Sequence, residues 1–223
     1  MIIITGASKG IGLYLFNHFR SSGKEVIGTY NSSKSGDNMY KVNISNAQEV
    51  EAFANQVKDK LVNIVLINCA GANYSAFAHK ADLKKWSELI HVNLIGTFYM
   101  INAILPLMRH QNYGRIINFS SVVAQVGVPG TSAYAASKAG LWGLTKAISS
   151  ENASKGITIN NLNLGYFKIG MINEVPSEIQ NTIKNNIPIK DFGDPHEILR
   201  AVEYLISSNY ITGTSLDLNG GLI

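Results

Sequence analysis

The chain alternates two hydrophobic rhythms. Short β-branched runs, "MIIIT" (1–5), "EVIGTY" (25–30), "NIVLIN" (63–68), "GRIINFS" (114–120) and "ITINNLNL" (157–164), are apolar through much of their length rather than at every second position. A strand wetted on one face alternates, so such runs predict strands covered on both faces. "TSLDLNG" (214–220) is a weaker last run. Between them lie helical patterns at about 11–22, 46–60, 82–110, 131–155 and 194–207. "SNAQEVEAF" (45–53) opens on a cap, and "DPHEILRAVEYLI" (194–206) pairs an N-cap Asp with Pro at the next position. Strand–helix alternation of this kind predicts right-handed crossovers and an α/β fold, a doubly wound parallel sheet flanked by helices. Residues 1–223 read as a single domain. Only about a dozen residues separate the second strand from "VNIS" (42–45), too few for a full crossover helix. One flanking helix between the second and third strands is therefore expected to be missing or reduced to a loop.

Composition narrows the class. The 223 residues are 46% hydrophobic and 15% charged, enough for one sizeable core and too few for two. No run reaches the roughly 18 consecutive apolar residues of a membrane span. The net charge is +4, but Lys and Arg are dispersed, with no run longer than "KK" at 84–85. Nucleic-acid binders concentrate such charge, so a polyanionic cofactor explains the balance with less. The lone Cys69 excludes an intramolecular disulfide, and His18, His79, His91, His110 and His196 lack ligand spacing, so no metal site is expected. Together these features point to a cytoplasmic protein with no membrane or nucleic-acid partner.

"TGASKGIG" (5–12) follows the first strand and opens the first helix. Gly6, Gly10 and Gly12 let the backbone turn tightly and approach a phosphate, where the helix N-terminus supplies donors and a positive dipole. Glycines also serve ordinary turns, but the first strand–helix junction of a parallel sheet is where such folds hold nucleotides. An NAD site usually leaves a carboxylate at the end of the second strand; here "TYNSSK" (29–34) has none before Asp37. Lys9 and Lys34 either neutralise a 2′-phosphate or are simply solvated. NADPH is favoured over NAD.

"YAASK" (134–138) places a phenol and an amine four residues apart, on one face of a helix. Alone, the pair is either a catalytic couple or a helix that happens to carry Tyr and Lys. The wider set decides: "TGASKGIG", "NCAG" (68–71), "HVNLIGTF" (91–98), "INFSSVV" (117–123), "YAASKAG" (134–140) and "ITGTSLDLNGG" (211–221). In that order they resemble the classical short-chain dehydrogenases/reductases, among them most the bacterial 3-oxoacyl-(acyl-carrier-protein) reductases. The resemblance spans nearly the whole chain and implies a Rossmann-type domain that reduces a carbonyl with NADPH.

By that resemblance Tyr134 is the general acid, Lys138 its partner and the holder of the nicotinamide ribose. Ser121 binds the substrate carbonyl, and Asn93 anchors a proton-relay water. Cofactor contacts fall on Gly6, Ser8, Lys9, Gly10, Ile11, Gly12, Asn31, Asn43, Ile44, Ala70, Gly71, Tyr134, Lys138, Gly165 and Phe167. The Lys138 ammonium, with the positive charge of oxidised nicotinamide, is expected to pull the phenol's pKa, ordinarily about 10, toward the working range. Segment 165–193 corresponds to a substrate lid. The resemblance implies a small carbonyl substrate, free or carried on acyl carrier protein, and a homodimer or homotetramer paired through 82–110 and 131–155. The alternatives are a reductase of another small ketone, sugar or alcohol, or a non-catalytic NADP-binding sensor subunit.

The chain departs from the family pattern in places. Cys69 stands where a second asparagine is usual, and is read as packing. Leu164 and Ile169 replace a proline and a threonine that helps hold the cofactor. Those two changes predict weaker cofactor affinity or a differently ordered lid.

Overall fold

The computed structural model describes residues 1–32 and 36–223, without the side chains of Met171 and Glu174. In chain order the elements are β1 (Ile2–Thr5), α1 (Gly10–Ser21), β2 (Val26–Tyr30), β3 (Met39–Lys41), α2 (Ala47–Val57) and β4 (Val65–Asn68). Then come α3 (Leu83–Ile90), a π-helical turn (His91–Ile95), α4 (Gly96–Gln111), β5 (Gly114–Ser121), α5 (Val123–Val126) and α6 (Ser132–Asn152). β6 (Ile157–Leu164), α7 (Ser177–Asn186), α8 (Pro195–Ser207) and β7 (Ser215–Leu218) complete the chain. The strands pair in parallel in the order β3-β2-β1-β4-β5-β6-β7. This is the doubly wound, Rossmann-type α/β fold that the alternation predicts.

Both faces of the sheet are covered, which is why its strands read as apolar runs. Ile2 and Ile4 of β1 face Leu15, Phe16 and Phe19 of α1 and Leu199 and Val202 of α8. Ile3, between them, faces Phe53 of α2 and Met100 and Ile104 of α4. Met100, Ile101, Ile104 and Met108 are all at 0% exposure. Burying each contributes about 1.5–3 kcal/mol. Helix 83–111 is long and apolar enough, at a windowed mean hydropathy of 1.4, to cross a bilayer. Here those four residues turn its apolar face onto the sheet.

Caps fix the helix starts. Asn46 Oδ1 accepts from the N–H groups of Gln48 and Glu49, Asp82 Oδ1 from Lys84 and Lys85, and Asp194 Oδ1 from His196.

The predicted gap is present. β2 reaches β3 through residues 31–38, and no helix occurs among the described residues of that connection. Arg20 fills part of the space: its guanidinium lies 5.6 Å from the Phe16 ring centroid and donates to the Asp37 carbonyl at 3.4 Å. β3 itself is not among the predicted strands. Its three residues, Met39–Lys41, are too short to show a period.

Candidate active site

Strand order reverses between β1 and β4, and the loops leaving these strands meet at their C-terminal ends. Such a switch point is where open parallel sheets bind ligands. Thr5 Oγ1, at the end of β1, accepts from the N–H groups of Cys69 at 3.1 Å and Ala70 at 3.0 Å, joining the two loops. Gly6 has φ +67°, and a Cβ there would stand 2.7 Å from Ala70 Cα. A Cβ on Gly12 would stand 2.3 Å from the Gly6 carbonyl oxygen. The loop is therefore drawn tight against its neighbours in a way only glycine permits. At the start of helix α1 the N-cap residue Lys9 makes no side-chain cap bond, and the first turn carries no acid. That end is left to attract an anion, and the cradle fits a dinucleotide pyrophosphate.

β5 and α6 supply the polar groups below this loop. Lys138 is buried, and its Nζ donates to the Phe119 carbonyl at 2.6 Å and lies 5.6 Å from the Tyr134 ring centroid. Burial lowers its pKa from 10.5 to about 8, with Cys69 opposing the shift. Tyr134, half-buried, has its pKa pushed up to about 12 by burial, opposed by a hydrogen bond with the Ser121 side chain. Cys69 and Tyr166 add smaller raising effects. Ser121 is the last residue of β5 and also accepts from Val123 N–H at 3.2 Å. Among the protein's own contributions desolvation is the largest and Lys138 is not one of them, so without the charge of a nicotinamide the phenol is a weaker acid than in water.

Asn93 lies in the π turn, fully buried. Its carboxamide accepts from Ala72 N–H at 2.7 Å and donates to the Ala72 carbonyl at 3.0 Å and to Ser137 Oγ at 3.2 Å. It clamps the loop after β4 onto α6. A relay water would therefore have to use its main-chain carbonyl, which accepts from Thr97 Oγ1 at 2.8 Å and keeps a second lone pair. Cys69 lies between the two halves of the site. It takes a hydrogen bond from Gly12 N–H and interacts with the Lys138 charge, and burial pushes its thiol up to about 12.

The segment after β6 closes over the glycine loop. A Cβ on Gly10 would lie 3.4 Å from Gly170 Cα. Ile172, Ile187 and Phe192 form its small core, joined by Tyr166, Val175, Ile183 and Leu222. Asp191 accepts from Lys168 at 2.7 Å and pairs with Lys184 at 3.0 Å, fastening the start of the segment to its end.

The family model described as enoyl-(acyl carrier protein) reductase matches residues 6–223. The acetoacetyl-CoA reductase of Rhizobium meliloti is 36% identical, over 98% of this chain and 96% of the relative. The chain belongs to the short-chain dehydrogenase/reductase family. The 3-oxoacyl-(acyl-carrier-protein) reductases of Haemophilus influenzae and Vibrio cholerae are 32% and 34% identical, each over 99% of this chain and 96% of the relative. The family consists of oxidoreductases that act on C=O and CH–OH groups with a nicotinamide cofactor, and the chain is one of them.

Measured against the family pattern, the structure brings Asn93, Ser121, Tyr134 and Lys138 to one end of the sheet, with Gly6, Gly10, Gly12, Ala70 and Gly71 around them. A Cβ on Gly71 would stand 3.3 Å from Asn93 Oδ1 and 3.8 Å from Lys138 Nζ. Ser8 and Ile11 are partly exposed along the loop, and Lys9 and Asn31 are exposed. Lys34 lies outside the described residues. Asn43 Oδ1 is engaged by Ser45 Oγ at 2.7 Å, and Ile44 is 6% exposed within the core beside α4. Gly165 donates to the Leu218 carbonyl, and the Phe167 ring is buried against Gly193, so Phe167 offers its main chain rather than its ring.

Some contributors escape the sequence reading. A Cβ on Gly28 would stand 2.7 Å from Ala7 Cβ, so that glycine lets the loop seat itself. An isolated glycine within a strand is the available signal. Thr5 and Tyr166 carry no such mark, and the carbonyl that fixes Lys138 is main chain.

Proposed function

We propose that the protein is an NADPH-dependent reductase of 3-oxoacyl thioesters in which Tyr134 donates the proton. The observation that supports this most is the convergence of Ser121, Tyr134 and Lys138 beneath an uncapped, glycine-bounded helix start. Bound NADPH would supply the hydride. Ser121 Oγ, already bonded to the phenol, holds the substrate carbonyl beside it and stabilises charge building on that oxygen. Tyr134, protonated well above neutral pH, gives its proton to that oxygen, and Lys138 sits below as the nearby cation. Gly6, Ser8, Gly10, Ile11 and Gly12 would hold the pyrophosphate, and Lys138 with the residue 70–71 turn would hold the nicotinamide end. The choice of NADPH rests on Asn31 just after β2, where a carboxylate would serve NAD, and on Lys9, exposed in the glycine loop.

Segment 165–193 acts as the substrate lid, held together by its own core of Ile172, Ile187 and Phe192. The names of the relatives, an acetoacetyl-CoA reductase and 3-oxoacyl-(acyl-carrier-protein) reductases, support a thioester substrate. A homo-oligomer is the favoured assembly. Leu94, Ile95, Phe98, Leu144 and Ala147 line an apolar groove over Gly140 and Gly143, and Phe98 is 41% exposed.

The test is NADPH oxidation with acetoacetyl-CoA, NADH in parallel, and Tyr134→Phe as control. We expect thioester-dependent turnover, NADPH preferred, and a loss of about a thousandfold or more in the variant. Full turnover by Tyr134→Phe would overturn the assigned acid. Tight NADPH binding with no turnover on any ketone would favour the sensor reading, for which Ile169 and Leu164 are the motivating departures.

A further inference from the structure

Below the catalytic residues, α6 is pegged to the sheet by two rows of buried polar groups. The lower row runs from Asn68 Nδ2 to Asn118 Oδ1 at 2.9 Å, from Asn118 Nδ2 to Thr145 Oγ1 at 3.1 Å, and from Thr145 Oγ1 to Asn161 Oδ1 at 2.8 Å. It meets the helix two turns away from Lys138. The upper row centres on Trp142, one turn beyond Lys138. Its indole N–H is shared between Ser120 Oγ at 3.0 Å and Asn163 Oδ1 at 3.1 Å, residues that are register partners on β5 and β6. Ser120 Oγ in turn donates to the Lys138 carbonyl at 3.0 Å. Asn163 Nδ2 continues the row to Asp217 Oδ1 of β7 at 2.8 Å.

Lys138 is therefore held at both ends by consecutive residues of one strand. Its Nζ donates to the Phe119 carbonyl and its own carbonyl accepts from Ser120, while the next residue along is Ser121. A leucine or isoleucine at 142 could fill the same space but would offer no donor, leaving Ser120 and Asn163 buried without it.

We propose that Trp142, acting through Ser120, is a positioning residue that sets the height of Lys138 against the catalytic strand. This rests on the reductase reading above, since it assigns Lys138 its work. The titratable groups facing Lys138 are Cys69 at the end of β4, Tyr134 on its own helix and, beyond that phenol, Tyr166. From β5 and the π turn the groups around it are Phe119, Ser120, Ser121 and Asn93, while Arg115 and His91 bond elsewhere, so an alkaline limb of activity is expected to report Lys138.

The test compares Trp142→Phe and Ser120→Ala, which break the peg, with Asn163→Ala, which leaves the indole bonded to Ser120. All three lose a buried hydrogen bond and should lower the melting temperature. In the first two we expect kcat with acetoacetyl-CoA to fall about tenfold, its KM to stay within about twofold, and the alkaline limb to move upward as Lys138 gains water. NADPH dissociation constants, read by fluorescence without substrate, should rise about fivefold. Asn163→Ala should keep the wild-type kcat, limb and dissociation constant. Equal losses of stability in all three, with kcat, limb and NADPH affinity unmoved, would reduce the indole to a brace and overturn the proposal. If Trp142→Phe fails to fold, Ser120→Ala decides alone. Wild-type turnover is measured first. Its absence would sink the reductase reading but leave the NADPH affinities of the variants to decide the role of Trp142.

Discussion

Replacing Lys138 by methionine should abolish reduction yet make the protein more stable at neutral pH. Lys138 is 6% exposed, and burial brings its pKa from 10.5 to about 8. That gap corresponds to about 3 kcal/mol by which the folded state at pH 7 disfavours the ammonium it must hold. Between pH 8 and 10.5 the unfolded chain keeps a proton that the folded chain has released. Stability therefore rises with pH through that window, and the deficit is complete below it.

Methionine fills a similar volume without charge and forfeits the hydrogen bond to the Phe119 carbonyl, worth about 1 kcal/mol net. The balance is a gain of about 2 kcal/mol at pH 7 that disappears by about pH 10. Tyr134 is shifted the other way, but Lys138 is not among the causes of its shift, so its contribution cancels between the two proteins. Urea denaturation of both proteins at pH 7 and pH 10, without cofactor, measures the difference. A variant less stable than wild type at pH 7, or an advantage of the same size at both pH values, would refute the reasoning.

Other perturbations follow from the same geometry. Gly6→Ala forces a Cβ to 2.7 Å from Ala70 Cα at φ +67°, which costs about 1–2 kcal/mol in backbone alone; thermal melts with and without NADPH should show lower stability and at least about tenfold weaker binding. Asp191→Asn releases Lys168 and Lys184, exposed partners whose loss should leave global stability nearly unchanged. The thioester KM should nevertheless rise severalfold, and 1 M NaCl should reproduce that rise in the wild type. Arg115, 4% exposed, donates to the carbonyls of Ile206, Gly114 and Gly156 and to Asn209 Oδ1. Arg115→Leu should cost about 3 kcal/mol or more in urea denaturation, with kcat per folded molecule unchanged.

What the sequence reveals depends on whether the physical cause lies in side-chain type. β1, β4, β5 and β6 are legible because burial on both faces demands unbroken apolar runs. β3 is not, since Met39–Lys41 joins the sheet by main-chain bonds to β2 and presents one buried side chain. The pattern at 82–110 predicts one helix, and the continuous helix is there. The π turn at His91–Ile95, which aims Asn93 at Ala72, leaves no periodic trace. The missing crossover helix was readable from spacing alone. Ile44 packs its side chain beside Gly96 at 6% exposure, and a hydrophobic residue there reads equally as core or as an adenine edge. The direction of the Tyr134 shift was not legible either, because it comes from desolvation by the whole surrounding fold.

That desolvation bears differently on the two directions of a carbonyl reduction. Reduction draws a proton from a neutral phenol, and Tyr134 at about 12 is neutral throughout the range in which the protein would work. On the proposed assignment, oxidation would begin from the phenolate, the form that burial disfavours. Lys138 does little to relieve this, because its Nζ is directed at the Phe119 carbonyl and it is not among the groups that shift Tyr134. Cys69, standing where the family pattern has an asparagine, and Tyr166 each raise the phenol further. Burial is thus the largest cause that keeps the phenol protonated, and Cys69 and Tyr166 add to it.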